Sequence, residues 1–333
     1  MRTISSLVNH LVARFYIKDP NIKNVLDIQL PTLATQWEMA RNEICYLFKT
    51  KRISNLNTVD FELTTQCNLK CGVCPVNTGL LKKERRGSMD LELFKKIIDR
   101  NRYLRRIRFT LWGEPLLHKQ VFDFIDYARR HTKAYLLLYT NGTLITPELT
   151  SRILDSGLDM IVFSIDGAGE TYEKNRGFNY DELKTRITDF MAEKQRRKSS
   201  MVTHVLAVGT PDVEAQMDAF MQEWDEIGMD SVSVVSYSPF AENRCTNLKN
   251  PCRSFWRGYL AVTWSGDVCP CCTDFNAQLS LGNVKDNDYD LRKFINSSKM
   301  QALRETHIKG RYPSPCATCY EHHSSRIARR FTL

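Results

Sequence analysis

No run of apolar residues in this 333-residue chain approaches the roughly 20 needed to cross a bilayer. The N-terminus also lacks a continuous apolar segment followed by a small-residue cleavage site. Low-complexity tracts are missing, and 42% hydrophobic with 26% charged residues excludes disordered and collagen-like classes. A cytoplasmic enzyme is the expectation. The chain carries eleven cysteines, an odd number in a chain far larger than disulfide-dependent secreted domains, so a disulfide framework fits poorly and metal ligation becomes the question. The net charge of +9 sits at the ends: residues 1–57 hold eight Lys/Arg against four Asp/Glu, residues 299–333 hold seven against two, and the interior is neutral. Basic ends suit nucleic acid, anionic lipid or phosphorylated ligands, but no nucleic-acid module is recognisable, and a solvated surface is the simpler account.

From residue 58 a short apolar strand followed by a helix-length stretch recurs, the pattern of a parallel α/β sheet or barrel. Six strands are predicted, at Val59 to Thr64, Ile107 to Leu111, Ala134 to Tyr139, Met160 to Ile165, Val202 to Val208 and Ser231 to Tyr237. Helices are predicted over Asp90 to Arg100, opened by Ser88, over Val121 to Arg130, and within Pro147 to Asp155. Six units fall short of a full eight-fold barrel. The alternation stops near Pro239, and a cysteine-dense segment follows with a hairpin over Tyr259 to Val268, turned at Ser265-Gly266-Asp267. Upstream, Leu7, Val8, Leu11, Val12 and Phe15 share one face of a predicted helix over Ser5 to Tyr16. The expected organisation is a basic helical extension (1–57), a partial (β/α)6 barrel (58–240), a small cysteine-rich domain (241–320) and a basic tail (321–333).

Directly after the first strand stands Cys67-Asn68-Leu69-Lys70-Cys71-Gly72-Val73-Cys74. Three thiolates on one tight loop can hold three irons of a [4Fe–4S] cube and leave the fourth open to an external ligand. A zinc site closes with four protein ligands, and no fourth Cys or His lies beside this loop.

This loop resembles the CxxxCxxC signature of the radical S-adenosylmethionine (SAM) superfamily, and further motifs follow in that family's order. Trp112-Gly113-Glu114-Pro115 is similar to its GGEP motif, which implies that Gly113, Glu114 and Pro115 receive the methionine end of SAM. Asn141, in Thr140-Asn141-Gly142, and Ser164 and Asp166, in Ser164-Ile165-Asp166-Gly167, stand where relatives bind the ribose or carboxylate. Arg176 stands where relatives carry a carboxylate-contacting arginine. Trp112 in place of the first glycine and Val73 in place of the usual aromatic residue depart from the pattern without removing a ligand. The resemblance implies a site at the C-terminal strand ends, two cofactors there (the cluster and SAM), a 5′-deoxyadenosyl radical, and an electron donor such as flavodoxin or ferredoxin.

A second constellation comprises Cys252, Cys269, Cys271, Cys272, Cys316 and Cys319. Two sequence-distant pairs of thiolates suit zinc or a second cube, and spacing alone does not separate them. The segment resembles the SPASM/twitch extension of radical SAM enzymes, with Cys271 five residues after the hairpin glycine Gly266. No cysteine follows Cys319, which implies one auxiliary [4Fe–4S] cluster on Cys252, Cys271, Cys316 and Cys319, as in twitch-type aminocyclitol dehydrogenases. Cys269 rivals Cys271 as a ligand. Cys45, Cys245, Cys269 and Cys272 otherwise read as small core hydrophobes.

The resemblance implies an oxidoreductase of the dehydrogenase type on a polar, sugar-like or anionic small molecule, with the auxiliary cluster accepting an electron. A radical epimerase with Cys245 as hydrogen donor, a peptide-modifying enzyme and a non-catalytic electron-transfer protein are the alternatives. Glu62, Arg108, Tyr139, His204, Tyr237, Ser238 and Arg244 are polar candidates near the barrel mouth, each also readable as a satisfied interior side chain. A nucleic-acid partner is not expected, nor a membrane partner, though the amphipathic helix predicted over Ser5 to Tyr16 leaves a membrane-surface role open.

Overall fold

The computed structural model describes residues 33–237, 250–319 and 326–331. The helix predicted over Ser5 to Tyr16 lies outside them. All six predicted strands form, as β1 (Thr58–Phe61), β2 (Arg106–Phe109), β3 (Tyr135–Thr140), β4 (Met160–Ser164), β5 (Val202–Gly209) and β6 (Ser231–Ser236). They pair in parallel in chain order. The helices between them include α1 (Leu33–Leu47), ahead of β1, then α2 (Leu91–Arg100), α3 (Val121–His131), α4 (Pro147–Asp155), α5 (Gly169–Arg176) and α6 (Tyr180–Arg196). This is the α/β, partial (β/α)6 architecture expected from the alternation.

Alternation along each strand divides two environments. Val59, Phe61, Ile107, Phe109, Leu136, Leu138, Ile161 and Phe163 belong to the main core, together with α2 and α3 residues such as Phe94, Ile97, Phe124 and Ile125. Their neighbours Asp60, Glu62, Arg108, Tyr139, Val162 and His204 take the opposite face by the same parity. Leu137, Met160 and Val162 form a smaller apolar cluster there. Helix starts follow local chemistry. Thr146 accepts from Leu149 N at 3.2 Å to open α4, and Asn179 accepts from Glu182 N at 2.9 Å to open α6. The cap of α2 is Asp90 rather than the expected Ser88: its carboxylate accepts from Glu92 N and Leu93 N, while Ser88 bonds the Thr64 hydroxyl at 2.8 Å.

The hairpin expected after the alternation is present as β7 (Tyr259–Val262) and β8 (Val268–Cys269). Strand β7 also pairs in parallel with β1, so the cysteine-rich segment extends the barrel sheet itself. The boundary expected near 240 lies in residues outside those described. At the far edge β9 (Arg326–Phe331) pairs antiparallel with β6, giving a nine-stranded order β8-β7-β1-β2-β3-β4-β5-β6-β9. No strand was legible there in the sequence; the unpaired edge of β6 supplies the template.

Arg304, on the helix Ser298–Ile308, is fully buried and binds the carbonyls of Phe255 (3.0 Å), Lys51 (2.8 Å) and Ile295 (2.8 Å) and the Asn296 side chain (3.0 Å). It ties the N-terminal stretch to the C-terminal segment. Burial pulls its pKa down to about 10, which still leaves it charged at neutral pH. Arg304→Met should therefore strand buried carbonyls and lower stability by about 3 kcal/mol, whereas Lys51→Ala, which removes an exposed ion pair to Glu305, should cost about 1 kcal/mol or less. Denaturant midpoints of the two variants test this contrast.

Candidate active site

Three strand ends meet at the cysteine loop. Glu114, just past β2, donates its N–H to Gln66 O at 2.7 Å, anchoring the loop from below. Its carboxylate is 2% exposed and accepts from Leu116 N (3.1 Å) and Asn141 N (2.7 Å), with a further bond to the Thr140 side chain. Burial pushes its pKa up to about 7, against the pull of those donors. Asn141, at the end of β3, reaches back: its amide donates to Asn68 Oδ1 (3.0 Å) and lies 4.0 Å from Cys67 Sγ. Its carbonyl oxygen accepts from Thr143 N and Thr143 Oγ1, and Asn68 Nδ2 donates to Thr143 Oγ1 at 2.8 Å. Pro115 is buried and opens a short 3-10 turn. Gly113 adopts φ +96°, and a Cβ there would lie 2.2 Å from Thr64 O and 2.8 Å from Gln66 O. Only glycine lets the backbone run this close to the loop.

On the other side of the loop, Arg176 at the end of α5 donates Nε to Asp166 Oδ2 at 2.7 Å, while Asp166 Oδ1 accepts from Val208 N at 2.8 Å. Although burial opposes its charge, Asp166 and the nearby Cys71 thiol hold Arg176 above its ordinary value. Ser164 is partly exposed at the end of β4. Cys67, Cys71 and Cys74 are all raised by burial first, Cys71 to about 11; Cys67 and Cys71 also feel Cys74, and Cys71 feels Cys67. Leu69 N donates to Cys67 Sγ at 3.5 Å.

The second set of thiols assembles selectively. Cys316 is raised by burial, then by Cys252, Cys319 and Asp274. Thr273 Oγ1 lies 2.9 Å from Cys271 Sγ and 4.0 Å from Cys319 Sγ, which brings Cys271 to the same group. Cys269 instead packs with Tyr259 and Ala261, and its neighbours are Asp274, Arg85, Asp267 and Glu62. Cys272 is exposed, and Cys45 packs at the edge of the main core. Among the described residues no three Cys, His, Asp or Glu side chains converge as one bare ion requires. Zinc–sulfur bonds of about 2.3 Å would bring its thiolates within about 4 Å of one another, whereas a cube spreads its ligands over separate irons. Cys67, Cys71 and Cys74, and Cys252, Cys271, Cys316 and Cys319, all partly or fully buried, have the donor chemistry that iron–sulfur cubes take.

The two sites share a wall. Phe275, four residues after Cys271, meets Trp112 edge-on with ring centroids 5.8 Å apart, and Asn276 bonds Leu80 O (2.9 Å) and Lys82 N (3.0 Å). Of the polar candidates, Arg108 forms a bidentate pair with Asp60, which also accepts from Tyr259 Oη at 2.9 Å. Burial opposes its charge, but Asp60 holds Arg108 well above its ordinary value. His204 is satisfied by Ser231 (2.6 Å) and Ser233 (2.8 Å), an interior side chain. Tyr139 and Tyr237 are half-buried. Ser238, Arg244 and Cys245 lie outside the described residues. Glu62 is fully buried, with Oε2 on Arg85 Nη2 and Trp264 N, both at 3.2 Å, and no hydrogen-bond partner for Oε1. Sequence reading missed Asn68, Thr143, Asp60 and Thr273, polar residues whose partners are distant in the chain.

A model of the Radical SAM superfamily matches residues 61–223, and one of the SPASM iron–sulfur cluster-binding domain matches residues 252–320. The S-adenosyl-L-methionine-dependent 2-deoxy-scyllo-inosamine dehydrogenase of Niallia circulans is 26% identical over 257 residues, 75% of this chain and 87% of that protein. A tungsten-containing aldehyde ferredoxin oxidoreductase cofactor-modifying protein of Pyrococcus furiosus is 34% identical over 108 residues, 32% of this chain and 29% of that protein. The crystal structure of BtrN in complex with AdoMet and 2-DOIA superposes with a TM-score of 0.55 at 19% identity, covering 80% of this chain and 93% of that one. At that identity the likeness is one of fold.

Gly113→Ala should lose much of the folded protein, because positive φ and a backbone clash both oppose the added methyl, whereas Gly72→Ala, with open space around its Cβ, should fold normally. Thermal midpoints check this. Burial also pushes the Glu62 carboxyl up to about 7, above its ordinary 4.5. The stability its proton contributes is fully present below about pH 4.5 and lost as pH rises through about 7. Glu62→Gln, neutral throughout, should flatten the fall in denaturant midpoint between those pH values.

Proposed function

We propose that this chain, which belongs to the radical SAM superfamily and carries a C-terminal SPASM iron–sulfur domain, is an oxidoreductase that dehydrogenates a polar small molecule such as a sugar or aminocyclitol. The observation that carries this reading is the grouping of Cys252, Cys271, Cys316 and Cys319 apart from Cys269. Four thiolates close every iron of a cube, and a closed cluster can take an electron without binding substrate. The similarity to the inosamine dehydrogenase along most of both chains supports the same substrate class.

In this reading Cys67, Cys71 and Cys74 hold the radical-generating cluster, with one iron left open. When bound, SAM and the two clusters supply a 5′-deoxyadenosyl radical and an acceptor for the electron the substrate gives up. The protein's part is placement. Glu114 has about four lone-pair positions and three donors already on it, which leaves room for an ammonium group of the ligand. Gly113 and Pro115 shape that backbone, Asn141 holds its strand end against the cysteine loop, and Ser164, Asp166 and Arg176 present hydroxyl, carboxylate and guanidinium groups for the ribose and carboxylate. Trp112 and Phe275 join the strand-end turn that carries Glu114 to the loop that follows Cys271. A cytoplasmic flavodoxin or ferredoxin is the proposed electron donor. Among the described residues no helix is long and apolar enough to cross a membrane.

The test is anaerobic turnover with SAM, reductant and 2-deoxy-scyllo-inosamine in D2O. A product lighter by two hydrogens supports the dehydrogenase; exchange of one hydrogen for deuterium without mass loss would assign an epimerase. Reconstituted protein should hold about eight irons, and Cys67→Ala, Cys71→Ala and Cys74→Ala together should remove about four of them and all 5′-deoxyadenosine formation. Iron analysis and chromatography of the nucleoside decide both points.

A further inference from the structure

The loop after β8 places one side chain between two thiols that come from distant parts of the chain. Thr273 Oγ1 is 2.9 Å from Cys271 Sγ and 4.0 Å from Cys319 Sγ, and the Thr273 amide donates to Cys271 Sγ at 3.4 Å. The loop that holds it is built. The Asp274 carboxylate, 5% exposed, accepts from Gln278 N and Leu279 N, both at 2.8 Å, and closes the turn that follows. Asn276 fastens the same loop to residues 80 and 82, and Phe275 rests on Trp112. The backbone that carries Thr273 is thereby held beside the sulfurs.

We propose that Thr273 is a positioning residue that sets the reduction potential of the auxiliary cluster by hydrogen-bonding the ligand sulfur of Cys271, beside that of Cys319, an inference that rests on the assignment of Cys271 and Cys319 as ligands. Once those sulfurs are thiolates they have no proton to give, so the hydroxyl donates and the sulfur accepts. Donors directed at ligand sulfur favour the more negative, reduced cluster, and hydrogen bonds to sulfur are among the factors that tune such potentials. The threonine hydroxyl makes the auxiliary cluster a better electron acceptor than its four thiolates alone would. The radical site has a different arrangement: Cys67 receives the Leu69 amide at 3.5 Å, and its nearest side-chain donor is the Asn141 amide at 4.0 Å. One fold thus gives its two thiol sets different donors.

The experiment is a redox titration, followed by electron paramagnetic resonance, of the full-length reconstituted chain with both clusters, comparing wild type, Thr273→Val and Thr273→Ser. The auxiliary signal is assigned as the one that survives in the Cys67→Ala, Cys71→Ala, Cys74→Ala variant and is lost in Cys316→Ala, Cys319→Ala. Valine keeps the shape and the backbone amide but removes the hydroxyl. It should shift the auxiliary cluster to lower potential by about tenfold in the oxidised-to-reduced ratio at fixed potential, about 59 mV for one electron, leaving the other cluster in place. Serine should restore the wild-type value. An unshifted auxiliary signal in Thr273→Val at full iron content would overturn the role of Thr273 while the ligand assignment stands, as would an equal shift in Thr273→Ser. Undiminished iron in Cys316→Ala, Cys319→Ala would instead overturn the ligand assignment and the inference with it.

Discussion

The arrangement of the candidate site depends on one buried carboxylate. Glu114 gathers the amides of Leu116 and Asn141 and the Thr140 side chain, while its own N–H is fixed to Gln66 just before the first thiol. The end of β2, the end of β3 and the cysteine loop are locked together by that single group. Removing a carboxylate from water is costly, and the cost is offset only because each donor is itself held in place by a strand end. The backbone of Gly113 can run against Thr64 and Gln66 only without a side chain, so the close approach and the carboxylate's position depend on each other.

The same economy joins the two thiol sets. Strand β7 continues the barrel sheet beyond β1, so that β8 with Cys269 lies at the sheet edge next to the strand that leads into the first cysteine loop. Trp112 and Phe275 meet across the gap. Trp112 was notable in the sequence only as a departure from the GGEP pattern; its ring is the contact that links the strand-end motif to the auxiliary loop. Arg304 and Asn42 secure the N-terminal stretch around this assembly, Asn42 through Asn55 O at 2.8 Å and the amides of Ser54 and Asn55.

Local periodicity and spacing carried much of this in the sequence. Six strands, the hairpin turned at Gly266, and the helices of the β/α units were legible because each rests on side-chain alternation, cap residues or turn residues within a short window. The first thiol triad and the strand-end motifs were legible for the same reason, since Cys67, Cys71 and Cys74 lie on one loop. Asp90 displaced Ser88 as the cap of α2 because Thr64, far away in the chain, claims the Ser88 hydroxyl.

What the tertiary structure alone decided are the partnerships between distant segments. Spacing left Cys269 and Cys271 as rivals, since residues two apart share a face in a continuing strand. Pro270 cannot donate to a ladder, and β8 ends at Cys269. Parity therefore does not carry over: Cys269 stays beside Tyr259 and Ala261, while the turn delivers Cys271 and Thr273 to Cys319. The pairing of β9 with β6 and the convergence of Asn68, Asn141 and Thr143 have the same origin. The sequence by itself determined the chemistry of each segment, because that chemistry is local; which segments meet was decided by packing, because burial and hydrogen-bond satisfaction are properties of the whole fold.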